Sequence, residues 1–198
     1  MGSGFYSDVR AEDEAEAALY EELDFRLEEY KASCGLRALT GGSSKEVLQN
    51  RWRNPSLSIV GIDSAGGSWS TIPKSCSARI CIRHVPNQSP QRLVECFQAH
   101  VGHEFAKLRS PGNSVAVRVQ HIGDWWVADP NSSFYKTAEA ALERQWGVRP
   151  QYVREGSTMP VVPFLERALG APALHVPISQ ATDHMALKVR ERPIDYRL

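Results

Sequence analysis

Apolar side chains recur at three- and four-residue steps between Ala11 and Ala32, at Leu19, Tyr20, Leu23, Leu27 and Tyr30, which predicts one helix. Its opening turns are acidic at Glu12, Asp13 and Glu14, as the positive end of a helix dipole favours, and Gly35 is a natural stop. Thr40 to Ser44 reads as a turn-rich loop, and Ser56 to Gly61 as a short buried strand. Ala65, Gly66 and Gly67 mark a turn. Ser77 to Arg83 alternates, with Ala78, Ile80 and Ile82 on one face. Ser89 caps a helix that begins at Pro90 and runs to about Leu108, with Leu93, Phe97, Val101 and Phe105 spaced by four. Ser114 to His121 alternates as a further strand. This order predicts a two-layer α+β unit, an antiparallel sheet with helices on one face.

Beyond Asp124 to Asp129 the pattern changes. Ser132 to Gln145 and Val162 to Leu169 read as helices, Gln151 to Arg154 and Ala173 to Val176 as short strands. Helices alternating with short apolar strands predict a parallel α/β unit, so residues 1–128 and 129–198 are expected to form two units of an α/β protein.

Composition narrows the function. The 198 residues carry 23 basic and 23 acidic side chains, a formal net charge of zero, which gives no built-in attraction to nucleic acid or an anionic membrane. No apolar run approaches a bilayer span, and the polar, acidic Met1 to Tyr20 has neither the basic start nor the apolar core of a signal peptide. The expected location is therefore the cytoplasm. Cys34, Cys76, Cys81 and Cys96 form no CxxC pair and are expected to be reduced, each a small buried hydrophobe. His100 and His103 offer two metal donors at a helical spacing, with no third ligand evident. HExxH, GxSxG, P-loop and GxGxxG motifs are all absent.

Longer strings carry a family resemblance. Arg51-Trp-Arg-Asn-Pro-Ser-Leu-Ser-Ile59, Thr71-Ile-Pro73, Ile82-Arg-His-Val-Pro-Asn87, Asp124-Trp-Trp126 and Tyr152-Val-Arg-Glu-Gly156 resemble segments of the M20 metallopeptidases of the dipeptidase and carnosinase type, in the same order. Gly4 to Arg10 is similar to the segment entering the first lid helix. Phe164 to Pro177 is most similar to the fungal peptidase-like subunit of a glutathione-degrading complex. The resemblance implies a lid and dimerisation domain over residues 1–128, then the C-terminal part of a catalytic domain over 129–198. It also implies two zinc or manganese ions in the complete enzyme, a dipeptide, Cys-Gly or γ-glutamyl substrate, and a homodimer through the lid or docking on a full-length relative.

Carried over position by position, Arg83 matches the lid arginine that grips the substrate carboxylate, which a planar guanidinium pairs bidentately. Thr71 matches a threonine near the same carboxylate, and His121 a lid histidine placed to stabilise an oxyanion. Glu155 and Thr158 match the acidic and hydroxyl positions of a substrate loop, in which Ser157 replaces a family glycine. His184 stands two residues early for the last metal ligand, and Ala186 occupies that ligand's place. The other ligands of the family, including its His-x-Asp and Glu-Glu elements, fall upstream of the lid segment that opens this chain, and its closing helix follows the last ligand. The expectation is a chain that binds no catalytic metal pair and hydrolyses no peptide by itself, with a non-catalytic dimerisation or regulatory module, or a truncated gene product, as the alternatives.

Overall fold

The computed structural model describes residues 4–39, 41–64, 70–109, 111–155 and 160–176. In chain order these hold α1 (Glu14–Glu21), α2 (Leu27–Cys34), α3 (Ser44–Trp52), β1 (Ser56–Ser64), β2 (Cys76–Arg83), α4 (Pro90–Lys107), α5 (Ser133–Trp146) and α6 (Val161–Leu169). Helices beside an antiparallel pair of strands match the α/β class expected for the chain.

The single helix expected over Ala11 to Ala32 is two. Asp13 caps α1, its carboxylate accepting from the Glu16 N–H at 2.8 Å. The helix then breaks, and Arg26 opens α2 from an extended conformation. Gln151 satisfies the break: its Nε2 donates to the Glu22 carbonyl at 2.7 Å, and its Oε1 accepts from the Asp24 N–H at 3.3 Å. Periodicity alone misses this because the partner lies more than 120 residues away. α2 ends at Gly35 in the left-handed conformation, φ 65°, as expected.

α3 falls where the sequence reading has only a loop and a lid motif. Its signal was present as a capping pair: Ser43 Oγ accepts from the Glu46 N–H at 3.2 Å, and Glu46 Oε2 reaches back to the Gly42 N–H at 2.8 Å. α3 buries Val47 and Leu48, the latter 2% exposed, and Tyr20 of α1 stacks on Trp52 at 6.3 Å. Burial pushes the Tyr20 phenol up to about 12, against the opposing pull of Arg154.

β1 and β2 pair antiparallel, Leu57 opposite Ile82 and Ile59 opposite Ile80. A register shift between Ile59 and Gly61 then sets Ile62 opposite Ala78. The extra residue keeps Leu57, Ile59 and Ile62 on the face of Ala78, Ile80 and Ile82, where unbroken alternation would have turned Ile62 away. That face is open, contrary to the buried strand expected: Ile59 is 62% and Ile62 69% exposed. Hydrophobicity marks a strand that prefers cover, and no described element supplies it. Cys34, Cys76 and Cys81 are likewise exposed rather than buried, with Cys96 half-buried.

α4 begins as expected, with Ser89 Oγ accepting from the Arg92 N–H at 3.4 Å and Pro90 in the first turn. Gln88, 3% exposed, accepts from the Val85 N–H at 3.0 Å and donates to the Phe5 carbonyl at 2.7 Å, which anchors the start of the chain beside α4. α5 and α6 fall where the spacing placed them, each ended by a left-handed glycine, Gly147 and Gly170. The expected strands at 114–121, 151–154 and 173–176 do not form: these segments have no ladder partner among the described residues, and an alternating sequence becomes a strand only beside another edge.

Candidate functional site

Arg83 closes β2 with its side chain exposed, one N–H donating to the Arg51 backbone carbonyl at 2.6 Å. Among the described residues no carboxylate pairs with it, and the Arg51 carbonyl takes one of its five donors. Arg51 lies in the last turn of α3. Its guanidinium donates to the Tyr30 hydroxyl at 2.8 Å and sits 5.7 Å from the centre of that ring. It also forms an ion pair with Glu155. Burial works against its charge, but Glu155 and Tyr30 outweigh this and raise its pKa. Two residues matched to peptide binding, Arg83 and Glu155, thus meet through a third that the motif reading left without a role. A signal for Arg51 existed in the sequence, since it opens the longest matched string.

A second ion cluster holds the same corner. Glu16 of α1 accepts from Arg53 Nε at 3.0 Å and from Arg154, with Arg10 at 3.6 Å. The Glu16 and Arg53 side chains are 11% and 10% exposed. Arg154 and Glu155 are therefore clamped side by side against α1 and α3, and with Gln151 they cross the boundary expected near Asp129. Arg167 of α6 reaches back in the same way to Asp124, at 2.7 Å.

The other matched residues are more dispersed. Thr71 lies in the exposed segment before β2 and His121 is exposed beyond α4. Among the described residues no hydrogen bond or ion pair joins either to Arg83. His84, next to Arg83, is half-buried, and burial lowers its pKa while Asp124 opposes the shift. Thr158 and His184 lie outside the described residues. His100 and His103 are exposed on α4. Among the described residues no three His, Cys, Asp or Glu side chains converge to hold a metal ion, so this donor set does not fit a two-metal centre.

The segment leading to Glu155 is fixed by Glu139 of α5. Its carboxylate accepts from the Tyr152 hydroxyl at 2.6 Å, from Arg149 and from Lys136 at 3.2 Å. Tyr152 first, then Arg149 and Lys136, hold the Glu139 carboxyl down to about 2. Burial, then the hydrogen bond to Glu139, lifts the Tyr152 phenol to about 12. A depressed carboxylate stabilises above its unfolded value of 4.5 and loses that contribution as pH falls through about 2. A raised phenol stabilises below its unfolded value of 10.0 and loses that contribution as pH rises through about 12. NMR titration of the Glu139 side-chain carboxyl carbon is expected to place its midpoint near 2, and Glu139→Gln to lower the Tyr152 midpoint toward 10.0.

No protein-family model matches the chain. It is 34% identical over 183 residues to the Cys-Gly metallodipeptidase DUG1 of Candida albicans, a match covering 91% of this chain and 38% of that protein. The structure of the dipeptidase Dug1p from Saccharomyces cerevisiae superposes with a TM-score of 0.81 at 31% identity, covering 91% of this chain and 38% of the other. An M20 family metallo-carboxypeptidase from Sulfolobus solfataricus shares the fold, with a TM-score of 0.69 at 21% identity. The chain thus spans 38% of the length of the Candida protein it matches. Among the described residues no helix is long and apolar enough to cross a membrane.

Proposed function

We propose that the chain belongs with the M20-type metallodipeptidases and carries their lid and dimerisation domain over residues 1–128 and the C-terminal part of their catalytic domain over 129–198. The parent reaction is metal-dependent hydrolysis of a dipeptide, with Cys-Gly or a γ-glutamyl peptide as the substrate class. The observation that carries this reading is the superposition of 91% of the chain on the Saccharomyces dipeptidase. On this reading Arg83 would grip the peptide carboxylate, Thr71 would lie near the same group, His121 would face the developing oxyanion, and Glu155 and Thr158 would belong to the substrate loop.

Two zinc or manganese ions supply the hydrolytic water in such a site, by lowering its pKa and polarising the scissile carbonyl. The described donors do not fit that pair, and His184 is the one matched ligand. The chain by itself is therefore expected to bind peptide without cleaving it. Purified full chain, incubated with Cys-Gly or β-Ala-His and added Zn²⁺ or Mn²⁺, should show no turnover above the metal-only blank. Turnover that follows metal loading and disappears in His184→Ala overturns this.

A second reading is a non-catalytic module that dimerises through the lid or docks on a full-length relative. The apolar face of β1 and β2, with Leu57, Ile59 and Ile62 uncovered, favours it. Sedimentation at micromolar concentration tests it: concentration-dependent dimers support the module, and a monomer at every concentration or aggregates of indefinite size count against it. Four cysteines outside any disulfide suit a reducing cytoplasm, and a balanced charge suits a peptide substrate rather than nucleic acid or a membrane.

A further inference from the structure

Arg83 and Glu155 carry opposite charges and belong to the same matched site, yet they do not pair. Arg51 stands between them. Its backbone carbonyl takes one N–H of Arg83 at 2.6 Å, and its guanidinium takes Glu155. Tyr30 locks that guanidinium from a third side, by the hydrogen bond at 2.8 Å and the ring face at 5.7 Å. We propose that Arg51 is a positioning residue that holds the Glu155 carboxylate away from Arg83, and so keeps the Arg83 guanidinium open to a carboxylate ligand.

The inference rests on the reading of Arg83 as the carboxylate grip. The physical argument is competition. An exposed arginine beside an unneutralised glutamate is partly satisfied by it, and an incoming carboxylate then has to displace an intramolecular rival whose effective concentration is high. With Arg51 present, the Glu155 charge is already matched, and the trio of Arg83, Arg51 and Glu155 keeps one net positive charge for the ligand. Without Arg51 the remaining pair is neutral. The planar fork matters, because one guanidinium serves Tyr30 and Glu155 together, whereas a lysine ammonium is a single point charge on a flexible stem.

The test uses the full chain with its arginine side chains labelled for NMR, titrated with N-acetyl-glycylglycine and with the C-terminal amide of the same compound. The acetyl group removes the amine end, so the Arg83 Nε–H resonance reports on the carboxylate alone. Wild type should respond to the acid and not to the amide. Arg51→Ala should weaken the acid response about tenfold, Arg51→Lys by less, and Arg51→Ala with Glu155→Gln should recover most of the loss relative to Arg51→Ala alone. If Arg51→Ala binds as tightly as wild type, or the second substitution restores nothing, Arg51 does not act by holding Glu155 off and the proposal fails. Should wild-type Arg83 ignore the acid, the carboxylate-grip reading fails instead. The positioning claim is then decided without ligand: the Arg83 resonance must move in Arg51→Ala and return when Glu155→Gln is added. Arg51→Lys serves as the readable variant if Arg51→Ala does not fold.

Discussion

Replacing Glu16 by alanine is expected to lower the unfolding free energy by about 3 kcal/mol. Glu16 and Arg53 are each about nine-tenths buried, at 11% and 10% side-chain exposure, and Glu16 is the acidic partner of Arg53 at 3.0 Å and of Arg154 as well. Removing it leaves the Arg53 guanidinium buried with the Arg10 carbonyl as its remaining described acceptor, and a buried charge without a counter-charge costs far more than the pair contributes. The same substitution detaches Arg154, so the segment carrying Glu155 should lose amide-exchange protection ahead of α4. A fitting control is Asp63→Ala. It breaks the Arg79–Asp63 pair at 3.2 Å, whose side chains are 62% and 59% exposed, and should change stability by less than about 0.5 kcal/mol. Urea unfolding reads both: a lower midpoint at unchanged slope for Glu16→Ala, and no resolved shift for Asp63→Ala. Equal effects in the two variants would show that the corner is not held by this cluster.

Leu48→Ala should cost about the same, roughly 3 kcal/mol. Leu48 is the most enclosed apolar side chain described, at 2% exposure, within a small buried set of Tyr20, Val47, Leu48, Val85, Leu93 and Val162. With so few buried side chains, each is a large share of the stabilising burial, and truncation adds a cavity to the lost transfer energy. Ile72→Ala removes the same class of surface from a position 92% exposed and should lie within about 0.5 kcal/mol of wild type. Because α3 also presents Arg51 and is followed directly by Arg53, Leu48→Ala should weaken any carboxylate response at Arg83 only in proportion to the unfolded fraction. A loss of binding in fully folded protein would mean that core packing tunes the site directly.

The two substitutions probe different links of the same chain of causes. Leu48 acts through burial, which places α3 against α1. Glu16 acts through charge, which ties the distant 149–155 segment to that platform. Both converge on Arg51, whose backbone and side chain contact Arg83 and Glu155.

Much of the secondary structure was legible from short-range chemistry. Ser89 and Pro90 announce α4, glycines end α2, α5 and α6, and alternation marks β2, because each signal acts within a few residues. α3 was equally local in its Ser43–Glu46 cap and was overlooked because its apolar spacing is weak. The break between α1 and α2 was not legible, since Gln151 supplies from afar the hydrogen bonds that make a gap tolerable. Strand character at 114–121 was overestimated for a related reason: a strand needs a second edge, and that edge is not written in its own alternation.

For the site, the ordered motifs by themselves carried the family resemblance, and matching to it put forward Arg83, Thr71, His121, Glu155, Thr158 and His184 as candidates, because such strings are local in the chain. Which of these residues act together was a tertiary matter. Arg51 and Glu155 are 104 residues apart in the chain, and only folding sets one against the other and leaves Arg83 free of a carboxylate partner among the described residues. Residue types and local backbone preferences are encoded within a few positions, whereas charge pairing depends on distance in space, which the fold alone decides.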